Sequence, residues 1–120
     1  MKGVGQKIIA MVFTVTAIEE ALVCFFEQVA QQDSARLEKI RQEQCFSVAQ
    51  GRWCFTLPDL YLFLQHQDPA FTRIDYKIFR QSVFNSPIND RVKSLGAEIV
   101  IADNQASVDR STYALVWLTT

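Results

Sequence analysis

Apolar positions recur at helical spacing through the first part of the chain. Ile18, Ala21, Leu22, Phe25, Phe26 and Val29 fall at i, i+3, i+4, i+7, i+8 and i+11, one face of an α-helix, while Glu19, Glu20, Glu27 and Gln28 fall largely off it. Thr16-Ala17-Ile18-Glu19 fits a capping box, so the spacing predicts a helix over 17–31. Asp33-Ser34 offers the next cap, and Ala35, Leu37 and Ile40 begin a second helix with Arg36, Glu38, Lys39, Arg41 and Glu43 outside. Its end has two readings. The favoured one carries the helix to Gln50, with Gly51 in the left-handed closing position and Arg52–Thr56 as a short strand. The other turns the chain at Gln50-Gly51, pairing Phe46 with Phe55 and Val48 with Trp53 on one face of a hairpin.

The second half alternates strong start signals with short apolar stripes. Thr56-Leu57-Pro58-Asp59 joins a cap, an N-terminal proline and an acidic first turn, and Leu57, Leu60, Tyr61 and Leu64 follow. Gln65 to Pro69 is a polar break. Thr72-Arg73-Ile74-Asp75 opens another helix with Ile74, Ile78, Phe79 and Val83 inside. After the tight turn at Asn85-Ser86, Ser86-Pro87 starts a third helix with Ile88, Val92 and Leu95, closed by Gly96. The period then changes. Glu98–Ala102 is rich in β-branched residues, Asp103–Arg110 is polar, and Tyr113–Leu118 is apolar and aromatic, which reads as a β-hairpin.

Composition narrows what such a chain can be. Its 120 residues, 49% hydrophobic and 21% charged, describe one globular α+β domain over 1–120. A helical segment (1–50) packs on a unit of three helices and a C-terminal hairpin (51–120). The net charge of −1 excludes a strongly basic nucleic-acid coat. That charge divides into net −2 over residues 1–68 and net +1 over residues 69–120. Lys2 and Lys7 flank an apolar run from Ile8 to Val15, and Val15-x-Ala17 outlines a cleavage site. The run is short and leads directly into the amphipathic helix. The favoured reading is therefore a buried first element of a cytoplasmic chain, with secretion after removal of residues 1–17 as the alternative. Glu19, Glu20 and Glu27 interrupt the stretch a membrane span would need.

The order short strand, helix, helix, tight turn, helix, hairpin resembles the winged helix-turn-helix superfamily. Leu57–Gln65, Ile74–Phe84 and Pro87–Leu95 match its three helices, and the hairpin Glu98–Leu118 its wing, with Asp103–Arg110 at the tip. The likeness covers about 65 residues and rests on element order alone. It implies a small regulator whose last helix enters the major groove of double-stranded DNA. Asn89, Arg91, Lys93 and Ser94 would then face the bases, and Arg73, Lys77, Arg80 and Arg110 the phosphates, with Asn104 and Gln105 near the wing. Asp90, in the middle of the same helix, would repel phosphate. The resemblance also admits a protein partner in place of DNA. In that superfamily an added N-terminal helix commonly makes a homodimer, here through Val23, Phe26 and Val29.

Candidate chemistry is sparse, so the chain is read as non-enzymatic, without cofactor or metal. Cys24, Cys45 and Cys54 are dispersed and read as buried small hydrophobes. His66 is the only histidine and reads as a surface or capping residue. Zinc needs three or four converging ligands, and no glycine-rich phosphate loop is present. The nine Phe, three Tyr and two Trp fall mostly on predicted core stripes.

Overall fold

Three of the helix starts in this chain are set by side-chain caps, at Asp33, Thr56 and Asp75. The computed structural model describes the backbone of residues 2–118 and the side chains of residues 15–118. Helix α1 spans Lys2–Ala30. It closes with Gln32 left-handed (φ 59°), its N–H on the Val29 carbonyl and that of Asp33 on the Gln28 carbonyl, a Schellman end without glycine. The expected start near residue 17 is corrected. The helix runs through Thr16 and Glu19, so no first turn exists there for a capping box to satisfy. The leader-like run largely precedes the described side chains. Among the described residues, no helix is long and apolar enough to cross a membrane.

Helix α2 (Ser34–Arg41) is capped by Asp33, whose carboxylate accepts from the Arg36 N–H at 3.0 Å. The favoured extension of α2 to Gln50 is overturned: the chain leaves the helix after Arg41 and forms β1 (Ser47–Ala49) and β2 (Arg52–Phe55). Arg41 to Cys45 are all exposed, so no apolar stripe continues the helix. Phe46, Val48, Trp53 and Phe55 instead supply a strand period. Val48 faces Trp53 in the register, and Gln50 (φ 55°) with Gly51 (φ 78°) makes the two-residue turn.

Helix α3 (Leu57–Gln67) starts at Thr56, whose hydroxyl accepts from the Asp59 N–H. The expected polar break at Gln65–Pro69 is largely helical, since α3 runs to Gln67; a 3-10 helix, Pro69–Arg73, follows and delays α4 (Tyr76–Asn85) until Asp75, which caps it through the Ile78 N–H. The expected opening at Thr72–Asp75 narrows to its last residue: the Thr72 hydroxyl donates to the Pro69 carbonyl within the 3-10 turn. Helix α5 (Ile88–Ser94), β3 (Ala97–Asp103) and β4 (Thr112–Trp117) complete the chain.

The antiparallel sheet has the order β1-β2-β4-β3, so the last strand is central and β3 is an edge. Trp53↔Leu115, Phe55↔Tyr113, Ile99↔Leu115 and Ala97↔Trp117 place one set of side chains on a common face. The helices cover that face. Trp53 lies at 4.5–6.0 Å, ring to ring, from Phe25, Phe26, Phe46 and Phe55. The aromatic load is thus mainly core, as the stripes indicate. Trp117 ties the sheet to α1 through its indole N–H, 3.0 Å from the Val29 carbonyl. The cysteines are corrected: Cys24 and Cys45 are exposed and Cys54 is half-buried. Cys24 lies off the buried Ile18–Leu22–Phe25–Val29 stripe, and Cys45 lies in the exposed link after α2.

Candidate interaction surface

Helix α5 is held on both flanks. On one side the Asn89 amide meets the edge of β3: its Oδ1 accepts from the Ile99 N–H at 3.0 Å and its Nδ2 donates to the Ile99 carbonyl at 3.3 Å. An amide side chain thereby stands in for a neighbouring strand. Lys93 lies 3.8 Å from Glu98, and the Ser94 hydroxyl donates to the Arg91 carbonyl. On the other side Arg91 borders a hollow of about 270 Å³ whose α1 wall carries Glu19, Glu20 and Glu27. Of the four outward residues expected on this helix, Asn89 and Ser94 have internal bonds, Lys93 has an anionic neighbour, and Arg91 borders a hollow that the α1 glutamates also line.

The expected phosphate contacts separate in the same way. Arg80 reaches Asp109 at 3.1 Å and lies over the Tyr76 ring, while the Tyr76 hydroxyl donates to Asp109 at 2.5 Å. This clasp holds the loop between β3 and β4 against α4. It also moves both proton affinities. Burial first, then the bond to Asp109, pushes the Tyr76 phenol well above its ordinary value. The Tyr76 hydroxyl, then Arg80, holds the Asp109 carboxyl below the usual range. Arg73, Lys77 and Arg110 are exposed. Of the expected dimer face, Phe26 and Val29 are 1% and 0% exposed within the chain's own core and are not available to a second chain, while Val23 is half-buried at the hollow beside α5.

Among the described residues no group of His, Cys, Asp or Glu is arranged to hold a metal ion. His66 is exposed in the last turn of α3. The Cys45 thiol is pushed up by partial desolvation and by Asp59 and Glu43, the opposite of what a nucleophile needs.

What sequence reasoning did not single out is an apolar groove of about 290 Å³ between the end of α4, the start of α5 and β3. Phe26, Phe55 and Leu57 form part of its lining from the core; Phe84 and Ile101 form exposed lips, 57% and 59% accessible. Ile101 is the telling residue. It pairs with Tyr113, which pairs with Phe55, so alternation puts it on the helix-covered face of the sheet. It is exposed because α5 covers that face only as far as Asn89 and Ile99. The available signal was the run Ile99-Val100-Ile101, whose middle member must face away from the others.

No family model, no curated protein and no solved structure matches the chain.

Proposed function

We propose that the chain is a non-enzymatic protein-interaction module of winged-helix-like arrangement that does not read DNA. The observation that carries this reading is the groove bounded by Phe84 and Ile101. Large apolar side chains stand exposed there together, beside a cleft that reaches the core. Contiguous exposed apolar surface of this kind marks contact sites more often than idle surface. The winged-helix resemblance is supported by the retained order of strand, helix, helix, tight turn, helix and hairpin, with the 3-10 turn inserted between α3 and α4.

The competing DNA reading is weakened by the same contacts that define α5. A base-reading helix needs unoccupied amide and guanidinium groups beside a cationic surface. Here Asn89 bonds β3, and the glutamates of α1 flank Arg91. The test is a fluorescence-anisotropy titration with labelled random-sequence duplex at low salt, run beside panning of a random peptide library. The expected result is no saturable DNA binding, with recovery of apolar peptides that Ile101→Lys no longer retains. Saturable DNA binding that collapses with salt and is weakened by Arg91→Ala plus Lys93→Ala would overturn the proposal.

A further inference from the structure

We infer that the groove receives an extended, uncharged peptide segment of a partner, which adds to the edge of the sheet at Ile101 and places alternate apolar side chains between β3 and α4. This rests on the interaction-module reading and names the class of partner.

Three observations converge on a strand rather than a helix or a charged tail. β3 is an edge strand. The Ile99 peptide bonds Asn89, and by the alternation of an antiparallel ladder the Ile101 N–H also turns away from β4, just before the register shifts between Ile101 and Asp103. Asn89 occupies the edge at Ile99, so pairing has one place to begin, which fixes the register of an incoming chain. Second, the helix-covered face of the sheet lacks a cover at Ile101, where the groove opens beside Phe84. Side chains spaced two residues apart on an added strand would fall there.

The third observation is electrical. No lining residue carries a charge. The polar groups of the lining have internal partners: the Ser86 hydroxyl donates to the Ser82 carbonyl, Asn89 holds Ile99, and the Tyr113 hydroxyl donates to the Val108 carbonyl. A charge brought into this seat would lose water and find no counter-charge. The electrostatic complement of the groove is therefore a segment without charge, held by main-chain hydrogen bonds and apolar contact.

The experiment is an NMR titration of the full chain with a capped, uncharged peptide alternating threonine with isoleucine and phenylalanine. Saturable amide shifts are expected at Phe84, Val100 and Ile101. A copy of the peptide N-methylated at its central amide keeps the side chains and loses one donor. Its binding should weaken roughly tenfold, as loss of one ordinary hydrogen bond predicts. Phe84→Lys and Ile101→Lys alter exposed positions, so they should fold and show no shifts at the groove. Equal binding by the N-methylated peptide, shifts confined to other surfaces, or binding that survives both variants would overturn the inference. Concentration-dependent shifts at Ile101 without peptide would also overturn it, assigning the groove to a second copy. The two proposals fail separately. DNA binding would remove the interaction-module reading and leave the peptide shifts standing, whereas silence with both ligands would remove this inference alone.

Discussion

At the scale of single residues, the chain shows how one side chain can decide what a helix is able to do. Asn89 has the composition of a reader of adenine edges and the position of a strand partner; position wins because both its amide groups meet Ile99. The sequence contains no sign of this, since the partner lies ten residues on, across a turn and on another element. Asn89→Ala should destabilise the fold by about 1–2 kcal/mol, because it strips two hydrogen bonds from a half-buried strand edge. Urea unfolding should show a lower midpoint with an unchanged slope. The Tyr76–Asp109 clasp makes a prediction about pH. Tyr76 has a folded pKa above its ordinary value of about 10, so its contribution is complete below that pH. It is lost as the pH rises toward the folded value. Asp109 has the opposite sign: its contribution is present above about pH 4 and is lost as the pH falls through its depressed value. Its carboxyl is exposed, so the acid arm is shallow. Unfolding midpoints measured between about pH 9 and 11 should fall less steeply in Tyr76→Phe than in the parent.

At the scale of elements, what could be read early was what is local. Thr56 and Asp33 cap the helices they announce, and Pro58 occupies the first turn where its missing N–H costs nothing. Thr56→Ala should cost about 1 kcal/mol in thermal or urea unfolding. What local signals leave open is the competition between two local solutions. Residues 42–50 carry no helix breaker, and the deciding fact is the partnership of β1 with β2, fixed only when Trp53 and Phe55 enter the core against α1. The turn that resolves it has both central residues left-handed. A Cβ at Gly51 would meet nothing within 4 Å, so any penalty there is conformational rather than steric crowding by neighbours. Gly51→Ala is accordingly expected to cost about 1 kcal/mol, and Gln50→Asn to gain a few tenths, since asparagine tolerates that conformation best among side chains. Paired unfolding curves of the two variants check both signs. The groove was hidden at this scale as well. Its members come from α1, α3, α4, α5 and both outer and inner strands, and only Ile101's exposure on an otherwise covered face reveals it.

At the scale of the whole molecule, the sheet order carries a consequence for how the chain folds. β4 is last in sequence and central in space, paired with β2 across some sixty residues and with β3 across a loop. It also brings Trp117 to the Val29 carbonyl, joining the last strand to the end of α1. Until β4 docks, β3 has no strand partner and the face containing Trp53 and Phe55 has no Leu115 or Tyr113 beside it. Leu115 is fully buried and Tyr113 nearly so. Local helices can form earlier, because their contacts close short loops, but the apolar surface that stabilises them is completed only by the most distant pairing. The fold should therefore be all-or-none in its last strand. A chain ending at Ser111 keeps every helix in sequence and loses only β4. It is expected to show weak, non-cooperative helical circular dichroism and to expose apolar surface to a dye. The full chain should instead unfold in one sigmoidal transition. A truncated chain that retained a sharp transition would mean that the helices and the β1–β2 hairpin form a self-sufficient core. Trp117→Phe tests the same closure gently. It preserves the ring surface, removes the bond to Val29, and should lower the unfolding midpoint without broadening the transition, at a cost of about 1 kcal/mol.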